Sequence, residues 1–159
     1  MKSSSTAGEL LKILHWNILS DYRSQLLFKN LLPKGVIDWG YRSFLIQEHI
    51  KKVDPDVFGL CDLDSGVKQK IFSTAIKQWG YEEYHKCNSK IGCSIFYKTS
   101  KFTLIDQKYV EYEEISDQIG NLNQNVKCSH DHEHNIEEFK EIHSTQEFFI
   151  YCHLKAKKS

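Results

Sequence analysis

Short apolar runs, each bounded by polar residues, dominate the first third of the chain. The run 10–19, LLKILHWNIL, and the run 57–61, VFGLC, are apolar and short. Runs of this kind are typical of buried strands. The first run is followed by a segment that contains Pro33 and Gly35, which favour a loop.

Two stretches carry the period of an amphipathic helix. The first follows Asp38, a suitable N-cap, and ends at Asp54-Pro55 because proline cannot continue a helix. Its apolar stripe would consist of Tyr41, Phe44, Leu45, Ile46, His49, Ile50 and Val53. A second helix is predicted over residues 67–79, with Gly80 at its end. Its apolar face would consist of Val67, Ile71, Ala75 and Trp79.

The second half of the chain is richer in strand-like segments. Strands are predicted over residues 81–85, 91–97 and 102–112, with a closing hairpin over 139–143 and 148–154. Polar residues fill the stretch 113–137, which predicts a loop that is unusually long for a small domain. The order strand, helix, strand, helix, followed by further strands, indicates a layered α/β sheet.

Composition limits the class of protein. A length of 159 residues suits one domain, and an apolar share of 40% suits a buried core. Twenty-one basic residues balance 21 acidic ones, which excludes binding of nucleic acid by net charge alone. No window is apolar and long enough for a membrane span. Residues 1–9 predict a flexible N-terminus without a signal peptide, and five cysteines without a CxxC pattern predict reduced thiols in an intracellular, cytoplasmic protein.

Polar side chains follow the first two predicted strands. Asn17 lies at the end of the first, and Asp62 and Asp64 follow the second. Ligands gather at the carboxyl ends of strands in α/β sheets, and Mg²⁺ prefers oxygen ligands. These residues could therefore form a metal site. Solvated loop carboxylates beside an asparagine turn are the alternative.

Histidines occur in two further stretches. His153 lies near the end of the last strand beside Lys155 and Lys157, where it could contact a phosphate; a basic end of an ordinary edge strand is the alternative. Residues 128–134, CSHDHEH, alternate Cys and His. Successive alternating ligands do not easily close the tetrahedron that zinc requires, so surface histidines are the better interpretation of this run.

Several segments occur in a recognisable order from residue 12 to the C-terminus. They are KILHWNIL at 12–19, WxxR at 39–42, DPDVFGL at 54–60, Gly80-Tyr81, GCSIFY at 92–97 and HLKAK at 153–157. Together these segments resemble the endonuclease/exonuclease/phosphatase superfamily, and in particular its deadenylase branch, which includes nocturnin-like and Angel-like proteins.

The resemblance implies a fold, a chemistry and a set of site residues. Residues 10–159 would form the N-terminal half of an α+β, four-layer αββα sandwich, with a mixed sheet and helices on its outer face. The family cleaves phosphoesters with Mg²⁺, so an RNA 3′ end or a nucleotide is the expected partner. By position, Asn17 and His153 match catalytic residues, Asp62 matches the metal ligand, and Lys86, Lys155 and Lys157 match contacts to substrate phosphate.

Departures from the family pattern weaken the expected activity. Cys61-Asp62 replaces a Gln-Glu pair, and the aspartate is one methylene shorter. A displacement of about 1 Å at a reacting centre can cost about 100-fold in rate. The family's later Asp-x-Asn and Asp-His motifs have no match in this sequence. We therefore expect a truncated or divergent phosphodiesterase that is weakly active or inactive alone, and whether it is an enzyme stays open. The alternative is a pseudoenzyme that acts as a structural or interaction subunit.

A half sandwich would leave one face of its sheet bare. That face would carry Ile13, Val57, Ile95 and Ile150, or the residues that alternate with them. Because a contiguous apolar patch usually marks an interface, a protein partner or self-association is predicted to cover it.

Overall fold

The structure is a computed structural model that describes residues 10–87, 90–111 and 148–157. The elements are β1 (Ile13–Asn17), α1 (Asp21–Phe28), α2 (Lys34–Ile37), α3 (Trp39–Val53), β2 (Val57–Asp64), α4 (Val67–Lys77), β3 (Tyr81–Cys87), β4 (Ile91–Lys98), β5 (Phe102–Glu111) and β6 (Phe148–Ala156). The N-terminal residues 1–9, the predicted loop 113–137 and the predicted strand 139–143 lie outside the described residues. Within the described ranges, no helix is long and apolar enough to cross a membrane.

Four strands form a mixed sheet in the order β1-β2-β4-β3. β1 runs parallel to β2, because α1, α2 and α3 return the chain to the same edge, while β2, β4 and β3 pair antiparallel. β5 and β6 pair antiparallel with each other in a separate two-stranded sheet. This mixed α+β arrangement confirms the predicted fold class.

One face of the four-stranded sheet, called the first face below, packs against the helices, and the core lies between them. The opposite face is called the second face. Phe58 and Phe96 stack with ring centroids 4.6 Å apart, and Tyr81 meets Phe58 edge-on at 5.2 Å. Ile50 of α3 and Ile76 of α4 are almost fully buried against this aromatic group. Alternate residues of each strand face this core, as the period of two requires.

Both long helices are where the sequence predicts them, but their buried faces are rotated from the predicted ones. α4 buries Gln69, Phe72, Ser73 and Ile76, whereas Val67 and Ile71 of the predicted face are exposed. α3 buries Ile46 and Ile50 and leaves Tyr41, Phe44 and Leu45 exposed. The apolar residues outnumber the positions that can face the sheet, so hydrophobicity alone does not select the buried stripe.

The predicted loop before the first long helix is instead largely helical. Ser20 caps α1, its side chain accepting the N–H of Arg23 at 3.1 Å. The short helix α2 then leads directly into Asp38, which caps α3 as predicted and accepts the N–H of Tyr41 at 2.8 Å. The prediction failed because the first turn of α1 is held by the Asp62 and Asp64 carboxylates of β2, contacts that no local pattern reveals.

The β5–β6 hairpin covers only part of the second face of the sheet. β6 contacts β4, and the ammonium of Lys86 on β3 lies 3.5 Å from the ring centroid of Tyr109 on β5. The β5–β6 hairpin therefore lies over β3 and β4. On β1, Ile13 is 69% exposed. The bare face predicted from the sequence is thus confined to β1 and β2 in the described part of the chain.

A buried carboxylate ties β1, β2 and β4 together at the edge where β2 begins. Asp56 accepts the N–H of Lys12 at 3.0 Å and lies 3.3 Å from the ammonium groups of both Lys98 and Lys101. In return, Lys12 O accepts the N–H of Asp56 at 2.8 Å. The hydrogen bond from Lys12 and the two lysines lower the pKa of Asp56.

The substitution Asp56→Asn is expected to lower the free energy of unfolding by about 1.5–3 kcal/mol at neutral pH, the range for a charge-assisted hydrogen bond. Because the folded-state pKa lies below the unfolded one, this contribution is full above about pH 4 and disappears as the pH falls through the folded-state pKa. Urea unfolding from pH 7 to pH 3 measures it. Glu48→Gln is the control, since Glu48 is an exposed carboxylate that pairs with Lys51 on the surface of α3. Equal losses in both variants would contradict the role of Asp56.

Candidate functional site

Asn17 lies at the carboxyl end of β1 and shapes the turn that follows it. Its side-chain oxygen accepts the N–H of Leu19 at 3.0 Å, and Leu19 has a positive φ of 55°. The guanidinium of Arg42, on α3, donates to the carbonyls of Ile18 and Leu19. Asn17 is exposed, so its amide group faces the end of the sheet where the sequence predicts a site.

Asp62 lies at a break in the β2–β4 ladder. The register shifts between Cys61 and Leu63, and Asp62 adopts a positive φ of 61°. Such a bulge redirects one side chain. The carboxylate of Asp62 is buried, accepts the hydroxyl of Ser20 at 3.2 Å and pairs with Arg23 Nε at 3.3 Å. It therefore faces α1.

Asp64 anchors the same helix. Its two carboxylate oxygens accept the N–H groups of Asp21 at 2.5 Å and Tyr22 at 2.9 Å. These are N–H groups of the first turn, which have no partner within the helix. A negative charge at this position is also favoured by the helix dipole. The acidic pair after the second predicted strand thus holds the N-terminus of α1 against the sheet.

The described residues do not fit a magnesium ion as they lie. They contain no group of three or more His, Cys, Asp or Glu side chains that could hold a metal. The carboxylate matched to the family's metal ligand, Asp62, is already occupied by Arg23 and Ser20. A cation would have to displace the guanidinium before it could bind there. The magnesium site at Asp62 therefore stays a prediction.

The residues matched on β6 lie on the hairpin, away from the end of β1. Along β6, Ile150, Cys152 and Leu154 are half-buried, while His153 and Lys155 are exposed. Since β6 contacts β4 and its half-buried residues alternate with the exposed ones, His153 and Lys155 point to the side of the hairpin away from the larger sheet. The geometry thus groups His153 with Lys155, separately from Asn17 and Asp62.

The two other lysines matched to phosphate contacts have protein partners. Lys157 Nζ donates to the carbonyl of Thr99 at 2.7 Å. Lys86 lies over the Tyr109 ring and 3.6 Å from the carboxylate of Glu111. Desolvation would lower the pKa of Lys86, but the contacts with Tyr109 and Glu111 outweigh it, so the pKa is raised. Lys155 is exposed and is the more accessible of these lysines. The roles of Asn17, His153 and the lysines likewise stay predictions.

The sequence analysis missed a cluster of His15, Cys61 and Cys93 on the second face of the sheet. The thiol of Cys61 lies 3.3 Å from His15 Nε2, and Cys93 is the register partner of Cys61 on β4. These two neighbours, of which Cys93 has the larger effect, lower the pKa of Cys61 to about 6. The same contact raises the pKa of Cys93. Aligning the alternating apolar residues of β2 and β4 could have paired Cys61 with Cys93, but it could not have placed His15 of β1 beside them.

Gly59 makes this cluster possible. A Cβ atom at Gly59 would lie 3.2 Å from the His15 ring, because these two residues face each other across the β1–β2 pair. With no side chain at Gly59, the imidazole lies across β2 and reaches Cys61. Cys61 and Cys93 are half-buried and His15 is exposed, since the β5–β6 hairpin covers β3 and β4 but not β1.

Comparison with known proteins places this geometry in context. No family model matches the chain. It is 30% identical over 124 residues to the "CCR4-Not complex 3'-5'-exoribonuclease subunit Ccr4" of Neurospora crassa, covering 70% of this chain and 16% of that protein. It is 28% identical over 116 residues to "CCR4-NOT transcription complex subunit 6-like-B" of Xenopus laevis, covering 65% of this chain and 21% of that protein. The chain therefore spans about a sixth to a fifth of the length of these curated relatives.

Solved structures agree on the fold. The crystal structure of ANGEL2, described as a 2',3'-cyclic phosphatase, superposes with a TM-score of 0.58 at 25% identity. The match covers 64% of this chain and 31% of the ANGEL2 chain. The matched portion is therefore about a third of the ANGEL2 chain.

Proposed function

Because the chain belongs to the endonuclease/exonuclease/phosphatase superfamily, as an N-terminal portion of its deadenylase branch, we propose that it recognises the phosphate of an RNA 3′ end or a nucleotide and hydrolyses phosphoesters weakly or not at all. The relatives' names, an exoribonuclease subunit and a 2',3'-cyclic phosphatase, support a phosphoester as the ligand. Magnesium is the cofactor that the family resemblance implies.

The ion pair between Arg23 and Asp62 carries the proposal of weak activity. The Asp62 side chain is only 5% exposed and lies 3.3 Å from Arg23 Nε. A carboxylate that already has a guanidinium and the hydroxyl of Ser20 as partners gains less from a hydrated cation, which would have to replace both. The position that the resemblance matches to a metal ligand is thus paired with a cation of the chain itself, Arg23.

The substitution Arg23→Ala is expected to create a response to magnesium that the unmodified chain lacks. Thermal unfolding with and without millimolar MgCl₂ should show no shift for the unmodified protein and a stabilisation of a few degrees for the variant, because binding to the folded state raises stability. Adding Asp62→Asn should abolish the shift. Lys51→Ala is the matched control, since it removes an exposed cation on α3 that contacts Glu48 and the ring of Trp79.

Activity is measured in the same preparations on a labelled oligoadenylate. The unmodified chain should shorten it at least about 100-fold more slowly than a Ccr4-type enzyme assayed beside it, the cost of a misplaced reacting group. Magnesium-dependent shortening at a comparable rate, lost in Asp62→Asn, would overturn the proposal of weak activity.

Phosphate recognition is expected to depend on Lys155. The substitution Lys155→Ala should weaken binding of the oligoadenylate several-fold. It should also reduce the slope of log affinity against log salt concentration by about one, the loss of one phosphate contact. Fluorescence anisotropy across a salt series measures both. Lys52→Ala, at an exposed position of α3, is the control. Equal effects of the two substitutions, or no binding by the unmodified chain, would contradict phosphate recognition at β6.

A second candidate function is that of an interaction subunit. The exposed face of β1 supports it, since Ile13 is 69% exposed and β1 is an edge strand of the sheet. Exposed edges with apolar side chains favour association with another chain.

If this face mediates self-association, light scattering behind gel filtration should give a mass above the 18.7 kDa of one chain, and Ile13→Glu should return the mass to that of a monomer. Val67→Glu is the control, because Val67 is similarly exposed but lies on α4, on the other side of the sheet. A stable monomer before any substitution would contradict self-association through β1.

A further inference from the structure

Two cysteines face each other directly across the β2–β4 ladder. Cys61 and Cys93 are register partners, and both are half-buried free thiols. Since side chains alternate along each strand and Phe58 and Phe96 face the helical core, Cys61 and Cys93 share the second face of the sheet. As directly opposed residues on one face of two neighbouring strands, their side chains lie next to each other.

The backbone at this pair has the spacing that a disulfide needs. The carbonyl of Cys61 accepts the N–H of Ile18 at 3.0 Å, so the backbone hydrogen-bonding groups of Cys61 point toward β1 and away from β4. Toward β4 the pair is therefore a non-hydrogen-bonded one, for which the Cα atoms are about 4.5 Å apart. This spacing lies within the range of about 4.4–6.8 Å that a disulfide spans. No rearrangement of the strands is required.

The other described cysteines lack such a partner. Cys87 lies opposite Gly92 and, by alternation along β3, on the face of the sheet that carries the helical core. Cys152 is on the hairpin, where its register partner is Gln107 of β5. The chain therefore offers one pair of opposed thiols among the described cysteines.

We propose that Cys61 and Cys93 are a site of reversible oxidation, at which a hydroperoxide converts the two thiols to a cross-strand disulfide. The site is partly accessible, because both thiols are only half-buried and Cys61 lies on β2, beyond the strands that the β5–β6 hairpin covers. The proposal concerns thiol chemistry and does not depend on whether the chain hydrolyses phosphoesters.

The reaction balances with hydrogen peroxide as the oxidant. The sulfur of Cys61, having given its proton to His15 Nε2 or to solvent, attacks one peroxide oxygen; the O–O bond breaks, and the released hydroxide takes up a proton to form water. The sulfur of Cys93 then attacks the resulting sulfenic acid, the S–S bond forms, the S–O bond breaks, and a second water leaves with the thiol proton of Cys93. Two thiols and one peroxide give one disulfide and two waters.

The test uses the full chain with Cys87, Cys128 and Cys152 replaced by Ser. One equivalent of hydrogen peroxide should remove both remaining thiols, lower the intact mass by two hydrogens and leave the chain monomeric on a non-reducing gel. Dithiothreitol should restore both thiols. Adding Cys93→Ser should leave a sulfenic acid at Cys61 that dimedone traps. Adding Cys61→Ser should leave Cys93 unmodified at the same dose, because Cys93 lacks the contact with His15.

Two results would overturn the proposal. One is a pair of thiols that stays reduced at tenfold excess of peroxide, and the other is a disulfide that joins two chains instead of residues of one. If the triple substitution prevents folding, peptide mapping of the peroxide-treated unmodified chain under non-reducing conditions makes the same distinction. A Cys61–Cys93 peptide pair supports the site, whereas pairs that involve Cys87 or Cys152 contradict it.

Discussion

The carboxylates of Asp62 and Asp64 hold the N-terminus of α1 against the carboxyl end of β2, and the end of the sheet is organised around them. Asp64 takes two N–H groups of the first turn, while Asp62 takes the side chains of Ser20 and Arg23. Buried carboxylates require such partners, because an unpaired charge in this position would be strongly destabilising. The same partners occupy the oxygens that a metal would need.

This arrangement separates family membership from family chemistry. The parallel β1–β2 pair, the antiparallel β4 and the helical layer match relatives that process phosphoesters. Yet the internal guanidinium of Arg23 lies where the resemblance expects a cation to be bound. On the opposite face, Gly59 lets His15 reach Cys61, so the position that departs from the family's Gln carries thiol chemistry instead.

The buried faces of the helices illustrate where local pattern loses its predictive power. α3 and α4 begin and end close to the predicted residues, because caps and helix breakers act over a few residues. Their buried stripes differ from the predicted ones because several apolar faces compete for one sheet. Exposed side chains such as Phe44 and Ile71 are the result. Polar residues take buried positions where a partner is available: Gln69 and Ser73 both donate to Glu83.

The sequence by itself determined the order of strands and long helices, the cap at Asp38 and the superfamily, since these depend on short-range periodicity and on motifs that are contiguous in the chain. Only the tertiary structure decided the helix α1, the direction of the Asp62 carboxylate and the contact of Cys61 with His15 and Cys93. Each of these depends on strand register, a bulge or a missing side chain. Such features bring together residues that are distant along the chain, and no local pattern contains that information.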